Sequence, residues 1–192
     1  MPVQIGASVH NFSDPTGLLS DCHRRIEAFV GSLEAVAKTI DRPLTVEAGR
    51  ALDSALRYFR EAAPKHTADE EESLFPRLRR THHPDVQSAL ASLEALEKDH
   101  RWAEPLHAEV ERLGKQYLAT GSLVQSEVEA FRDAVNRLAS MYRQHIRIED
   151  TTIFPVAARL LSQTEQAAIG AEMAARRTAR TATETPTFGA SK

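Results

Sequence analysis

His66-Thr67-Ala68-Asp69-Glu70-Glu71-Glu72-Ser73-Leu74-Phe75-Pro76 and, 79 residues further on, His145-Ile146-Arg147-Ile148-Glu149-Asp150-Thr151-Thr152-Ile153-Phe154-Pro155 share one frame. Each has histidine first, a carboxylate four residues later, and an apolar-Phe-Pro step at a fixed distance. On an α-helix, residues i and i+4 lie on one face about 5–6 Å apart, so imidazole and carboxylate project together. Two such helices facing each other across a bundle bring two ring nitrogens and two carboxylates to a shared point.

Two further stretches supply the other walls. Asp21-Cys22-His23-Arg24-Arg25-Ile26-Glu27 and Lys98-Asp99-His100-Arg101-Trp102-Ala103-Glu104 each carry His-Arg with Glu at i+4, and they lie 77 residues apart. The chain therefore reads as a duplicated helical hairpin, each half contributing two His-x3-Glu pairs. One such pair alone is an ordinary hydrogen-bonded surface pair; two in the same frame, with histidines on both other helices, read as a metal site. Imidazoles and carboxylates converging in a bundle core suit iron first, and zinc or manganese less well. Without a cation, carboxylates do not belong in such a core, because burying an unpaired charge is costly.

The apolar spacing sets the scaffold. Asp14-Pro15 is a cap followed by proline at the first helical position. From there Leu18, Leu19, Cys22, Ile26, Phe29, Leu33 and Val36 recur every three or four residues, predicting a helix to about Thr39. A second helix is expected from Thr45 to Arg80, a third from Pro84 to Ala119 closed by Thr120-Gly121, and a fourth opened by a capping box over Ser122-Gln125. Ser162-Gln163-Thr164-Glu165 opens a short fifth. The expected class is all-α: an antiparallel up-down-up-down four-helix bundle over 15–161, a short extra helix over 162–177, an arm over 1–14 and a disordered tail over 178–192. Pro64, Pro76, Pro105 and Pro155 fall inside helical patterns and are expected to kink them around the site, with Pro64 or Pro105 able to mark a true break.

Composition narrows the function. Net charge is −3, so no nucleic-acid signal exists, and no apolar run reaches the length of a membrane span. The single cysteine, Cys22, forbids an internal disulfide and fits a reducing, cytoplasmic setting.

The pattern His…His-x3-Glu…His…His-x3-Glu, with Glu71-Glu72-Ser73-Leu74-Phe75-Pro76 and Asp150-Thr151-Thr152-Ile153-Phe154-Pro155 completing the two frames, resembles the hemerythrin-like (HHE cation-binding) family from about Thr16 to Leu161. That resemblance implies a bundle holding two iron ions with an oxo or hydroxo bridge. It implies His23, His66, His100 and His145 as terminal ligands and Glu70 and Glu149 as bridges. Dioxygen, peroxide or nitric oxide would be the small-molecule partner, in binding, sensing or redox handling, with a separate protein partner if the role is sensing. The alternatives are a peroxide-dismutating enzyme at the same centre and a bundle with a purely structural metal. Oxygen-carrying members resemble His-x3-His on the third helix, where this chain has Glu104. Either Glu104 is a seventh ligand, which would stabilise the ferric state, or one metal keeps an open position.

Other residues carry plainer expectations. Glu27 pairs with Arg24, His107 is a polar residue near the bundle's end, and Cys22 is packing. Asp69, Glu71, Glu72 and Asp150 lie off the ligand ridge and read as a solvated face. Phe59, Phe75, Phe154 and Leu138 wall the site or fill the core, and Tyr142 reads as a core tyrosine able to reach a bound oxygen species.

Overall fold

A computed structural model describes residues 10–178, and all regular structure among them is helical. The elements are α1 (Pro15–Ala37), α2 (Val46–Glu61), α3 (Ala63–Ala68), α4 (Phe75–Arg80), α5 (Pro84–Thr120), α6 (Gln125–Ile148), α7 (Phe154–Leu160) and α8 (Gln163–Thr178). Two π-helical segments, Asp69–Leu74 and Glu149–Ile153, join α3 to α4 and α6 to α7. Long helices pack as a bundle in which α1 and α5 each lie against α2 and α6.

Local chemistry explains the boundaries. The Asp14 carboxylate accepts from the Gly17 N–H at 3.0 Å, and Pro15 sits where no helical N–H is needed. Thr45 Oγ1 accepts from the Ala48 N–H at 3.1 Å. Gly121 ends α5 with φ at 77°, a conformation that costs glycine nothing. The fourth helix starts later than the expected Ser122 cap: Val124 is the flanking residue and its N–H donates to Glu127. The capping box over Ser162 and Glu165 is formed, with reciprocal bonds of 2.9 and 3.3 Å.

The prolines act in three ways. Pro64 breaks the expected second helix, since its ring and missing N–H forbid an unbroken ladder through Ala62. Pro105 is absorbed within α5. Pro76 and Pro155 each follow a π turn, where widening of the ladder relieves the clash an α-turn would force.

Apolar side chains form layers on either side of one polar level. Phe29, Leu33, Leu52, Leu113, Phe131 and Leu138 belong to one layer. Leu19, Leu74, Phe75, Leu93, Leu96 and Phe154 belong to the other, which Ile169 and Met173 of α8 help to close. Each such side chain contributes roughly 1.5–3 kcal/mol through burial. In the described part of the arm, the His10 N–H donates to Asp21. The Phe12 carbonyl crosses Gly170 so closely that a Cβ there would lie 1.9 Å from its oxygen. Thr178, the first residue of the tail expected over 178–192, closes α8 instead, and the rest of that stretch lies outside the described residues. No helix among the described residues is long and apolar enough to cross a membrane.

Candidate metal centre

Between the two apolar layers six side chains converge, one or two from each wall of the bundle. His23 comes from α1, His66 from α3, His100 from α5 and His145 from α6, while Glu70 is the second residue of one π segment and Glu149 the first of the other. His23, Glu70 and Glu149 are fully buried, His66 and His145 nearly so. The i+4 pairs meet as the spacing requires: His66 Nε2 lies 3.0 Å from Glu70 Oε1, and His145 Nε2 lies 3.2 Å from Glu149 Oε2. Across the bundle, His23 Nε2 approaches Glu149 Oε2 at 3.1 Å and Glu70 Oε1 at 3.9 Å, and His100 Nε2 approaches Glu70 Oε2 at 3.5 Å. These six residues form two groups of four able to hold a metal ion, His23-His66-Glu70-Glu149 and Glu70-His100-His145-Glu149. Both groups share both carboxylates.

The backs of three rings are fixed by carboxylates. The Nδ1–H of His23 donates to Asp150 at 2.8 Å, that of His100 to Glu71 at 2.7 Å, and that of His145 to Asp99 at 3.4 Å. Because ionised carboxylates only accept, each of these rings carries its proton on Nδ1 and presents a bare Nε2 lone pair to the centre. Two of those lone pairs, on His100 and His145, face each other at 3.1 Å. Such an encounter is repulsive unless a cation or an added proton lies there. The carboxylate oxygens of Glu70 and Glu149, buried without a hydrogen-bond donor, make the same demand. The donor set therefore fits a pair of cations.

Without metal, protons answer that demand. Burial disfavours charge on His23, yet the carboxylates of Asp150, Glu149 and Glu70 hold its pKa well above the usual range. His66 behaves alike: burial lowers its pKa, but Glu70 and the neighbouring Cys22 carry it up to about 10. Burial raises the Glu70 pKa, and His66, His23 and His100 more than reverse this. Metal loading must release those protons.

The residues expected from sequence separate cleanly. His23, His66, Glu70, His100, His145 and Glu149 come together; Glu104 does not. It is exposed, because the buried seam of α5 runs through Leu96, Ala103, Leu106 and Val110 and leaves Glu104 on the flank. Glu27 is likewise exposed and paired with Arg24 at 3.0 Å. Glu71, Asp99 and Asp150 are the members that sequence reasoning missed. Glu71 and Asp150 stand one position after each shared carboxylate, so they point sideways at the neighbouring helix rather than into solvent. Asp69 is also buried, and pairs with Arg176 and Arg177 of α8 at 2.9 and 2.7 Å.

A water-sized cavity adjoins the histidines, lined also by Ile26, Ala63, Tyr142 and Ile146. Tyr142 shares a 2.8 Å hydrogen bond with His107, and Phe59 packs on both rings. On the opposite side Phe154 stacks on His23, ring centres 5.1 Å apart.

The hemerythrin HHE cation-binding domain matches residues 14–157. The chain belongs to that family. An uncharacterized protein of Haemophilus influenzae is 27% identical over 167 residues, covering 86% of this chain and 91% of the relative. As a hemerythrin-domain protein, the chain carries a cation-binding fold with buried His/Glu clusters at the level where its four walls converge.

Proposed function

We propose that this hemerythrin-domain protein binds two iron ions and uses them to bind or react with dioxygen, peroxide or nitric oxide in the cytoplasm. The observation that carries this reading is the pair of buried carboxylates common to both four-residue groups, which suits two adjacent ions rather than one. Glu70 and Glu149 would bridge, His23 and His66 would complete one position, and His100 and His145 the other. Iron at these positions supplies two neighbouring redox centres open to a small ligand.

The chain's own residues set the conditions. Asp150, Glu71 and Asp99 orient three imidazoles and raise their basicity through Nδ1–H. That anionic surround favours the ferric state, the role sequence reasoning gave to Glu104. The equal count of two histidines per position leaves room for an exogenous ligand. Alongside the four histidines, Thr67 and Tyr142, the cavity wall carries the apolar side chains of Ile26, Ala63 and Ile146, which suit a small uncharged molecule. At its edge Tyr142 Oη and His107 Nε2 are joined by a hydrogen bond of 2.8 Å.

The deciding experiment is metal content of protein purified without metal-affinity steps, then spectra of the reduced protein mixed with dioxygen, peroxide or nitric oxide. About two irons per chain and a spectral change with at least one ligand are expected. One zinc per chain, or iron whose spectrum no ligand alters, would point to a structural metal. Sustained peroxide turnover would identify an enzyme.

A further inference from the structure

The duplication relates the two halves of the centre position by position. Asp150 follows Glu149 and backs His23 of the other half; Glu71 follows Glu70 and backs His100 of the other half. These two contacts are equivalent, a carboxylate in each. A second equivalent pair lies just before the first histidine of each half: Asp99 precedes His100, and Cys22 precedes His23. Asp99 backs His145 through Nδ1 at 3.4 Å. Its counterpart, the buried thiol of Cys22, stands beside His66 and accepts from Arg25 Nη2 at 2.8 Å. His66 Nδ1, fully enclosed, makes no hydrogen bond of normal geometry. At this pair of positions the symmetry of the centre is broken, carboxylate against thiol, and Asp150 differs further from Glu71 in also accepting from Ser20 and Arg24.

We propose that the Asp99/Cys22 difference makes the two metal positions inequivalent, with Asp99 acting as a positioning residue for the more electron-donating one. This rests on the iron-pair reading above. A carboxylate accepting from Nδ1–H makes the imidazole a stronger donor, and a stronger donor holds a ferric ion against reduction. At the His100/His145 position both rings are backed by carboxylates. At the His23/His66 position one ring is backed by Asp150 and the other only by sulfur. When an outside reductant delivers one electron to the diferric protein, the electron settles at the His23/His66 position and the other ion stays ferric. The second electron enters the His100/His145 position at a lower potential. The pair thus takes up electrons in a fixed order.

A redox titration of the iron-loaded full chain, followed by electron paramagnetic resonance and Mössbauer spectroscopy, reads this directly. Iron content is measured first. Fewer than two irons in the unaltered chain would overturn the iron-pair reading and the proposal with it. With two irons bound, two one-electron steps are expected. Asp99→Asn removes charge behind His145 and raises the lower step, so the separation narrows. Asp150→Asn removes charge behind His23 and raises the upper step, so the separation widens. Asp99 and Asp150 are both half-buried, so neither change opens a core cavity. Glu71→Gln serves as a second variant on the His100 side and must narrow the separation as Asp99→Asn does. Opposite signs on the two sides support the proposal. Equal shifts of both steps in every variant would mean that the carboxylates act as diffuse charge, and would overturn it. Loss of iron in all three variants would reduce them to structural supports and would also overturn it.

Discussion

Asp69 and Arg177 tie the turn that carries Glu70 to α8: Oδ2 of the buried aspartate accepts from Nη2 of Arg177 at 2.7 Å, while Oδ1 accepts from Arg176 at 2.9 Å. Arg176 also reaches Ser73 and Glu72, and Arg77 pairs with Glu172 at 2.7 Å. The helix that follows the bundle is therefore fastened by ion pairs along the π segment that begins next to Glu70.

Removing Asp69 should be felt at the site as well as in stability. Asp69→Ala leaves two arginines without their buried acceptor and should cost about 1.5–3 kcal/mol, the range for hydrogen bonds to charged groups. Urea unfolding measures this. Amide exchange should show the loss concentrated in α8 and residues 69–74; uniform loosening of the whole bundle would contradict the fastening role.

His107 gives an acid-stability prediction. Burial pushes its pKa down to about 4, against an ordinary value of 6.5, so the native state resists a proton that the unfolded chain accepts. Stability from this residue is complete above pH 6.5 and declines as pH falls toward 4, by on the order of 3 kcal/mol. His107→Gln keeps a partner for Tyr142 and should flatten the decline in that window. Identical acid limbs for both proteins in denaturant titrations would count against it.

Glu104→Ala should leave metal content and the visible spectrum unchanged, because the side chain is exposed and outside both four-residue groups. Glu70→Ala and Glu149→Ala should each remove dinuclear loading while preserving helicity by circular dichroism. A spectral change in the first, or full loading in either of the others, would reverse the ligand assignment.

Gly170→Ala should displace the arm from α8, because the added Cβ meets the Phe12 carbonyl oxygen at 1.9 Å. Faster proteolysis near Phe12 with unchanged metal loading is expected. Undiminished protection would show that α8 shifts instead.

The bundle and its six converging side chains were legible in the sequence because both rest on periodicity. Apolar residues every three or four positions define the helices, and His-x3-Glu puts paired donors on one face whatever surrounds it. The backs of the rings were not legible. Glu71 and Asp150 sit about 100° around the helix from Glu70 and Glu149. On a single helical wheel that direction reads as solvent; in a square of four helices it is the neighbour's histidine. Glu104 erred the other way. Its i+4 spacing from His100 suggested a shared face, but the core seam of α5 passes through Ala103 and turns Glu104 outward. The π turns escaped notice because a lone proline is compatible with a kink, a break or a widened turn, and only packing on both sides chooses among them.

The two widened turns also bear on how such a chain can change over time. Each fits one residue more than an α-turn would between the histidine-bearing helix and the Phe-Pro step that follows. The extra residue is taken up inside the turn, so Phe75 and Leu78, and Phe154 and Ala157, keep the core face that the same residue in a regular helix would turn away by about 100°. An added or lost residue elsewhere in these helices has no such relief. The two frames keep equal length because each carries its widened turn together with its donors.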